Sequence, residues 1–268
     1  MIFSMSSCSI AGSWVYERLD NYLADYFKEF ADFSREQNQE IELISTEFIN
    51  WFSENELIKL KGILEKLKNI NMQNSEREIS SIYEDAEGIF TRSNFYFKSP
   101  IISFTKKINE VQIGQIGSHF KELREKREKE RSENGYSLIE NYISGFDRIG
   151  IKLRDDQIDE INLKLENHIE VREEWSNLQG QWIEEFIQLL KYNQSSDYET
   201  KMSAYLDSLE ELGDQKFREK IDKNELLAQR IINFVFKTSN KKQIESFNRS
   251  LDIYLKSINR ILSKRQVN

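Results

Sequence analysis

The side chain with the most distinctive reactivity is the single cysteine, Cys8, in the run Met5-Ser6-Ser7-Cys8-Ser9. A thiol behind two small residues and an aliphatic position has the form of a lipid-attachment box, with Met5 where leucine is usual. Acyl chains there, at ~0.8 kcal/mol per buried methylene, would hold the chain on a membrane. The alternative is an incidental cysteine near the start of the chain. A secretory signal needs a basic region and roughly 7–15 apolar residues. Met1-Ile2-Phe3-Ser4-Met5 has no basic side chain and is shorter. Residues 1–13 are therefore read as a truncated lipoprotein signal remnant and tether. The stretch from Ser9 to Ser13 reaches at most ~17 Å. One thiol forms no internal disulfide.

Other reactive constellations are missing from the sequence. His119 and His168 stand alone, with no cysteine beside either, where a zinc site needs a clustered nitrogen and sulfur donor set. No phosphate-binding glycine loop or nucleophile elbow is present. Gly114-x-x-Gly117 sits in a helical pattern and reads as helix packing. Acidic pairs such as Glu173-Glu174 and Glu184-Glu185 read as solvated faces, since adjacent residues do not share one side of a helix. The expectation is a non-enzymatic protein with no catalytic residues, no metal and no cofactor.

One polar pattern recurs four times: a cap position, two residues, a glutamine, and an apolar residue four further on. It comprises Ser34 and Gln37 with Ile41, Asn109 and Gln112 with Ile116, Arg154 and Gln157 with Ile161, and Asn240 and Gln243 with Phe247. The chemistry is that of a helix start, where the glutamine ties back the cap amide and the next turn enters the core. Arginine stands at the cap in the third copy, leaving that role to Asp155 or Asp156. The irregular spacing excludes a solenoid of fixed period.

These starts open long amphipathic helices. The 268 residues carry a net charge of −8, 31% charged and 12% aromatic residues, ten glycines and one proline. So few breakers among so many charges favour helices, and the aromatics argue against disorder. The acidic balance argues against nucleic-acid binding. No apolar run approaches the ~20 residues of a membrane span. Val15, Leu19, Tyr22, Tyr26, Phe30 and Phe33 form an aromatic stripe, read as core in preference to a membrane interface. Ser75-Glu76-Arg77-Glu78 and Ser196-Asp197-Tyr198-Glu199 read as capping boxes. The first opens a helix to about Phe90, and Pro100 makes Ser99 a boundary. Residues 121–131 read as a solvated helix laced with ion pairs. Gly150 reads as a left-handed cap before Ile151, and one helix is expected from Asp155 to about Tyr192. The fold expected is all-α, an elongated multi-helix bundle with long antiparallel helices, about eight or nine in number. Residues 14–268 form its helical domain, with a possible sub-boundary near 95–105.

The stretch from Cys8 through Trp14, Tyr16, Leu19, Tyr22 and Asp25 to Tyr26-Phe27 resembles the mature start of a family of helical lipoproteins of Gram-negative bacteria. Phe33-Ser34-Arg35-Glu36-Gln37 stands where that family has a Leu-Thr-Pro-Glu-Gln-like helix start, without the proline. The resemblance covers nearly the whole chain, on loose motifs. It implies lipid attachment at Cys8, with Ser9 resembling the outer-membrane sorting position. The protein would then face the periplasm from the outer membrane of the cell envelope, held by acyl chains, and bind a protein partner or support envelope assembly. The same glutamine signature also resembles periplasmic helical chaperones, which implies a binder of unfolded clients. If Cys8 is not acylated, a cytosolic helical scaffold is the remaining reading.

Overall fold

A computed structural model describes residues 18–71, 73–134, 137–208 and 212–265. These residues are all-α, with no strand among them. Among the described residues there are eleven helices, against the eight or nine expected for the chain. They are α1 (Leu19–Lys28), α2 (Arg35–Asn55), α3 (Leu57–Lys68), α4 (Ser75–Thr105), α5 (Glu110–Asn134), α6 (Leu138–Arg148), α7 (Asp155–Leu165), α8 (Arg172–Leu190), α9 (Tyr198–Asp207), α10 (Gln215–Thr238) and α11 (Lys241–Arg265). Cys8, Trp14 and Val15 lie outside the described residues, as does Gly135.

Two of the extra helices arise from breaks that periodicity does not show. The long apolar pattern from Asp155 to Tyr192 divides into α7 and α8. Asn224 on α10 makes the break: its Oδ1 accepts the Ile169 amide at 2.9 Å and its Nδ2 donates to the Ile169 carbonyl at 2.8 Å. One side chain thereby replaces helical partners at a turn, while both flanking segments keep their apolar face. The second break separates α2 from α3 at Glu56.

The opposite correction applies to α4. It runs unbroken from Ser75 to Thr105 and carries Pro100 in its interior. An interior proline loses a hydrogen bond and crowds the preceding turn, at ~3 kcal/mol. Helix α4 packs against α2, α3, α9 and α10, and contact with four helices outweighs that local cost. Its start is also not the expected box. Asn74 is the cap and makes no side-chain cap bond, while Ser75 Oγ donates to Asn233 Oδ1 at 2.5 Å. At α9, likewise, Asp197 is the cap position, and Ser195 Oγ donates to its Oδ1 at 2.8 Å instead of forming a box.

Three apolar clusters hold the helices. The first gathers Ile79, Phe146, Ile151, Ile161, Ile231, Val235 and Phe247 from α4, α6, α7, α10 and α11. The second joins Ile108, Ile113, Ile116, Leu190, Tyr198 and Met202. The third is smaller, with Leu57 against Ile258 and Ile261. The aromatic stripe of α1 faces inward over most of its length. Phe27 meets Phe97, Phe30 meets Phe120 at 5.0 Å and His119 at 4.4 Å, and Phe33 meets Phe104. Tyr22, 52% exposed, is the exception. Gly150 closes α6 at φ 86°, with the Ile151 amide bonded back to the Phe146 carbonyl at 2.8 Å, as a left-handed cap requires.

Candidate functional site

The four glutamine starts are one construction used twice. Tertiary folding pairs the first with the second and the third with the fourth. Gln37 and Gln112 exchange amides: Gln37 Nε2 donates to Gln112 Oε1 at 3.1 Å, and Gln112 Nε2 donates to Gln37 Oε1 at 2.7 Å. Each also reaches the backbone two residues before the other's cap, Gln37 at the Lys107 carbonyl and Gln112 at the Asp32 carbonyl, both at 3.1 Å. The same Oε1 atoms accept their own cap amides, Ser34 at 2.8 Å and Asn109 at 3.1 Å. In return, Ser34 Oγ accepts the Gln37 amide at 3.2 Å and Asn109 Oδ1 accepts the Gln112 amide at 3.0 Å. Both capping boxes are therefore complete.

The second clasp repeats this plan with one change. Gln243 Nε2 donates to Gln157 Oε1 and to the Lys152 carbonyl, each at 2.8 Å, and Lys152 again lies two residues before the partner cap. Asn240 and Gln243 form a complete box at 3.0 and 2.9 Å. Gln157 Oε1 accepts the Arg154 amide at 3.1 Å. Arg154 has no acceptor, so its side chain cannot return the bond. Neither Asp155 nor Asp156 replaces it. The Arg154 guanidinium instead pairs with Asp156 at 2.9 and 2.8 Å and donates to Gln243 Oε1 at 2.8 Å and to the Thr238 carbonyl at 3.2 Å. Gln157 Nε2, displaced from its counterpart's oxygen, donates to Thr238 Oγ1 at 3.0 Å. The Asp156 carboxyl is held below its usual range, chiefly by the hydrogen bond from Arg154.

All four glutamines are buried, Gln157 completely, and so are the apolar residues that follow them, Ile41, Ile116, Ile161 and Phe247. An amide buried with every polar atom bonded costs little, whereas one left unpaired is expensive. The clasps therefore fix which helix starts meet. The four glutamines of the motif are buried fasteners between helix starts, while the cap residues Ser34, Asn109 and Asn240 are exposed.

The sequence did not point to the buried Glu56. Only 1% exposed, it receives a forked pair of bonds from Arg92 at 2.8 and 2.7 Å and one from Lys59 at 2.9 Å. The Arg92 bonds hold its carboxyl below the ordinary range against the opposing effect of burial. Arg92 lies on α4, 36 residues away, and no local pattern marks the pair.

A groove of about 1340 Å³ runs along α5, α8 and α9. Gly117 of α5 and Gly180 of α8 are among its lining residues. Gly117 faces Ile187, and a Cβ on Gly180 would come within 2.5 Å of Arg124 Nη1. Its floor holds Phe120, Ile187, Leu189, Tyr198 and Tyr205. The rim carries Lys121, Arg124 and Lys201 together with Glu125, Glu128 and Glu184, and Tyr192 stands at the edge, 67% exposed. Lys121, Arg124, Glu125 and Glu128 of this rim belong to the segment read as a solvated helix, and its i,i+4 pairs, Lys121–Glu125 and Arg124–Glu128, are present at 3.8 and 3.5 Å.

Behind the floor the aromatic rings are stacked. Trp182 lies against Phe186 and Tyr205 at 5.6 and 5.0 Å, and the Tyr205 hydroxyl donates to the Trp182 carbonyl. Burial raises the pKa of Tyr205 and of Tyr198, whose hydroxyl donates to Thr105 Oγ1 at 2.7 Å. Both phenols stay protonated across the physiological range. Trp175, seven residues before Trp182, stacks on Phe217. No cluster of three or more metal-binding side chains occurs among the described residues, and none of their helices is long and apolar enough to cross a membrane. No family model, curated protein or solved structure matches this chain.

Proposed function

We propose that the protein is a non-enzymatic, elongated helical binding body that holds a polypeptide segment in the α5–α8–α9 groove. It is tethered to the cell envelope, as an outer-membrane lipoprotein, by acyl chains on Cys8. The groove carries the first half of this reading. An apolar floor under an open rim suits alternate apolar side chains of a partner, and aromatic anchors are what such interfaces use. The sequence around Cys8, together with the family resemblance, carries the second half.

The mixed charge of the rim favours a second reading, a chaperone-like binder of unfolded clients. Lys121, Arg124 and Lys201 share the rim with Glu125, Glu128, Glu184 and Glu185, so neither sign of client charge is rejected.

Both readings are tested on the same surface. A client unfolded in denaturant and diluted into buffer is followed by light scattering, with and without the full chain. Suppression at near-stoichiometric ratio, lost in Tyr192→Glu, supports the unfolded-client reading. No suppression, together with no binding of a hydrophobic fluorescent dye in the groove, removes both readings. Tyr192 is exposed, so the substitution leaves the fold intact by circular dichroism. Radiolabelled palmitate entering wild type but not Cys8→Ala supports the anchor, and equal absence of label from both defeats it.

A further inference from the structure

The last helix is charged against the rest of the chain. Lys241–Arg265 contains seven basic and two acidic residues, net +5, in a chain of net −8. Its inner face is committed to the core through Phe247, Leu251, Ile258 and Ile261. On the outer face, Lys242, Arg249 and Lys256 are exposed and stand seven residues apart. That spacing puts them on one stripe, with successive cations about 10.5 Å apart along the axis. Among the described residues none of these three makes an ion pair. The two acids of the helix lie between these cations at spacings of three and four, and each is already paired: Glu245 faces Lys241 at 3.9 Å, and Asp252 bonds Lys68 of α3 at 2.5 Å. Ile253, 40% exposed, lies on the stripe between Arg249 and Lys256. Helix α3, which packs on α11, carries Lys59, Lys61, Lys66 and Lys68, each of them paired with an acid.

We propose that the outer face of α11 docks flat on an anionic phospholipid surface. Charge complementarity selects an anionic partner, and the rest of the geometry selects its shape. The face is the convex side of a single helix, with no groove to enclose a peptide. A row of cations flanking an exposed isoleucine matches a plane of headgroups over acyl chains, where long basic stems reach the phosphates and the isoleucine dips below them. This surface is separate from the α5–α8–α9 groove and does not depend on Cys8, so either proposal can fail without the other.

The test is cosedimentation of the full chain carrying Cys8→Ala with vesicles of pure phosphatidylcholine or of phosphatidylcholine mixed with phosphatidylglycerol. Binding to the mixed vesicles alone at low salt, released at high salt, is the expected result. The triple variant Lys242→Gln/Arg249→Gln/Lys256→Gln should lower the partition coefficient roughly a hundredfold, from about fivefold per cation. Lys216→Gln/Lys223→Gln/Lys237→Gln removes the same charge from α10 and should leave partitioning near wild type. Equal binding to both vesicle types, or equal loss in the two triple variants, overturns the proposal. Binding of polyglutamate without vesicle binding assigns the stripe to an acidic polypeptide and overturns it as well.

Discussion

Replacing Gln157 by methionine tests whether the clasps are structural. Methionine has a similar length and adapts to its surroundings, so the main loss is polar. Three bonds go: from the Arg154 amide at 3.1 Å, from Gln243 Nε2 at 2.8 Å, and to Thr238 Oγ1 at 3.0 Å. The damage is uneven. Thr238 keeps its own bond to the Phe234 carbonyl, and Gln243 keeps the Lys152 carbonyl. The Arg154 amide and one hydrogen of Gln243 Nε2 are left without partners at a site where Gln157 was fully enclosed. Each unpaired group costs ~1–3 kcal/mol, so the expected loss is about 2–5 kcal/mol. At ~2–4 °C per kcal/mol for a chain of this size, Tm falls by roughly 5–15 °C. Urea unfolding of Gln157→Met, Gln243→Met and the double variant gives the coupling, expected at ~0.5–3 kcal/mol for residues in one network. Gln157→Met combined with Gln37→Met should be additive within about 0.5 kcal/mol, because the two clasps share no partner. A loss below ~0.5 kcal/mol, the size of an ordinary surface change, would refute the reasoning, as would equal coupling across the two clasps.

Two further predictions follow from single residues. Gly150→Ala places a Cβ at a φ of 86° and within 2.4 Å of Ser250 Oγ and 2.9 Å of the Ser246 carbonyl. It should lower stability by at least ~1–2 kcal/mol in thermal unfolding, and a neutral result would mean that the α6–α11 contact opens freely. Glu56 has its folded pKa lowered, first of all by the Arg92 hydrogen bond. A depressed carboxyl contributes stability that is complete above its unfolded value of about 4.3 and is lost as pH falls through the lower folded value. Glu56→Gln should therefore cost about 1–3 kcal/mol at neutral pH, in keeping with charge-assisted bonds. The gap from wild type should close under strongly acidic conditions; a gap independent of pH would show that the charge is not what binds Arg92.

The all-helical class was legible in the sequence because breakers are scarce and the apolar spacing is regular. The helix starts at Ser34, Asn109 and Asn240 were legible too, since a capping box is written within four residues. The division of Asp155–Tyr192 was not. It depends on Asn224, 55 residues beyond Ile169. The passage of α4 through Pro100 was not legible either, because a local rule stops a helix there and only packing against four neighbours sustains it. The Glu56–Arg92 pair and the groove share this limit. A buried carboxylate and its partner lie on different helices, and a groove belongs to three helices at once.

Sequence alone determined the cap-and-glutamine units at Ser34, Asn109 and Asn240 and the acidic balance of the whole chain. The tertiary structure alone decided that Gln37 meets Gln112 and that Gln157 meets Gln243, across 75 and 86 residues. It likewise decided that the cations of α11 point outward in one row. A capping box closes within a single turn of backbone, so neighbouring residues suffice to encode it. Which cap meets which, and which face of a helix remains for a partner, depends on how apolar faces from distant segments share a core. That is a property of the whole fold.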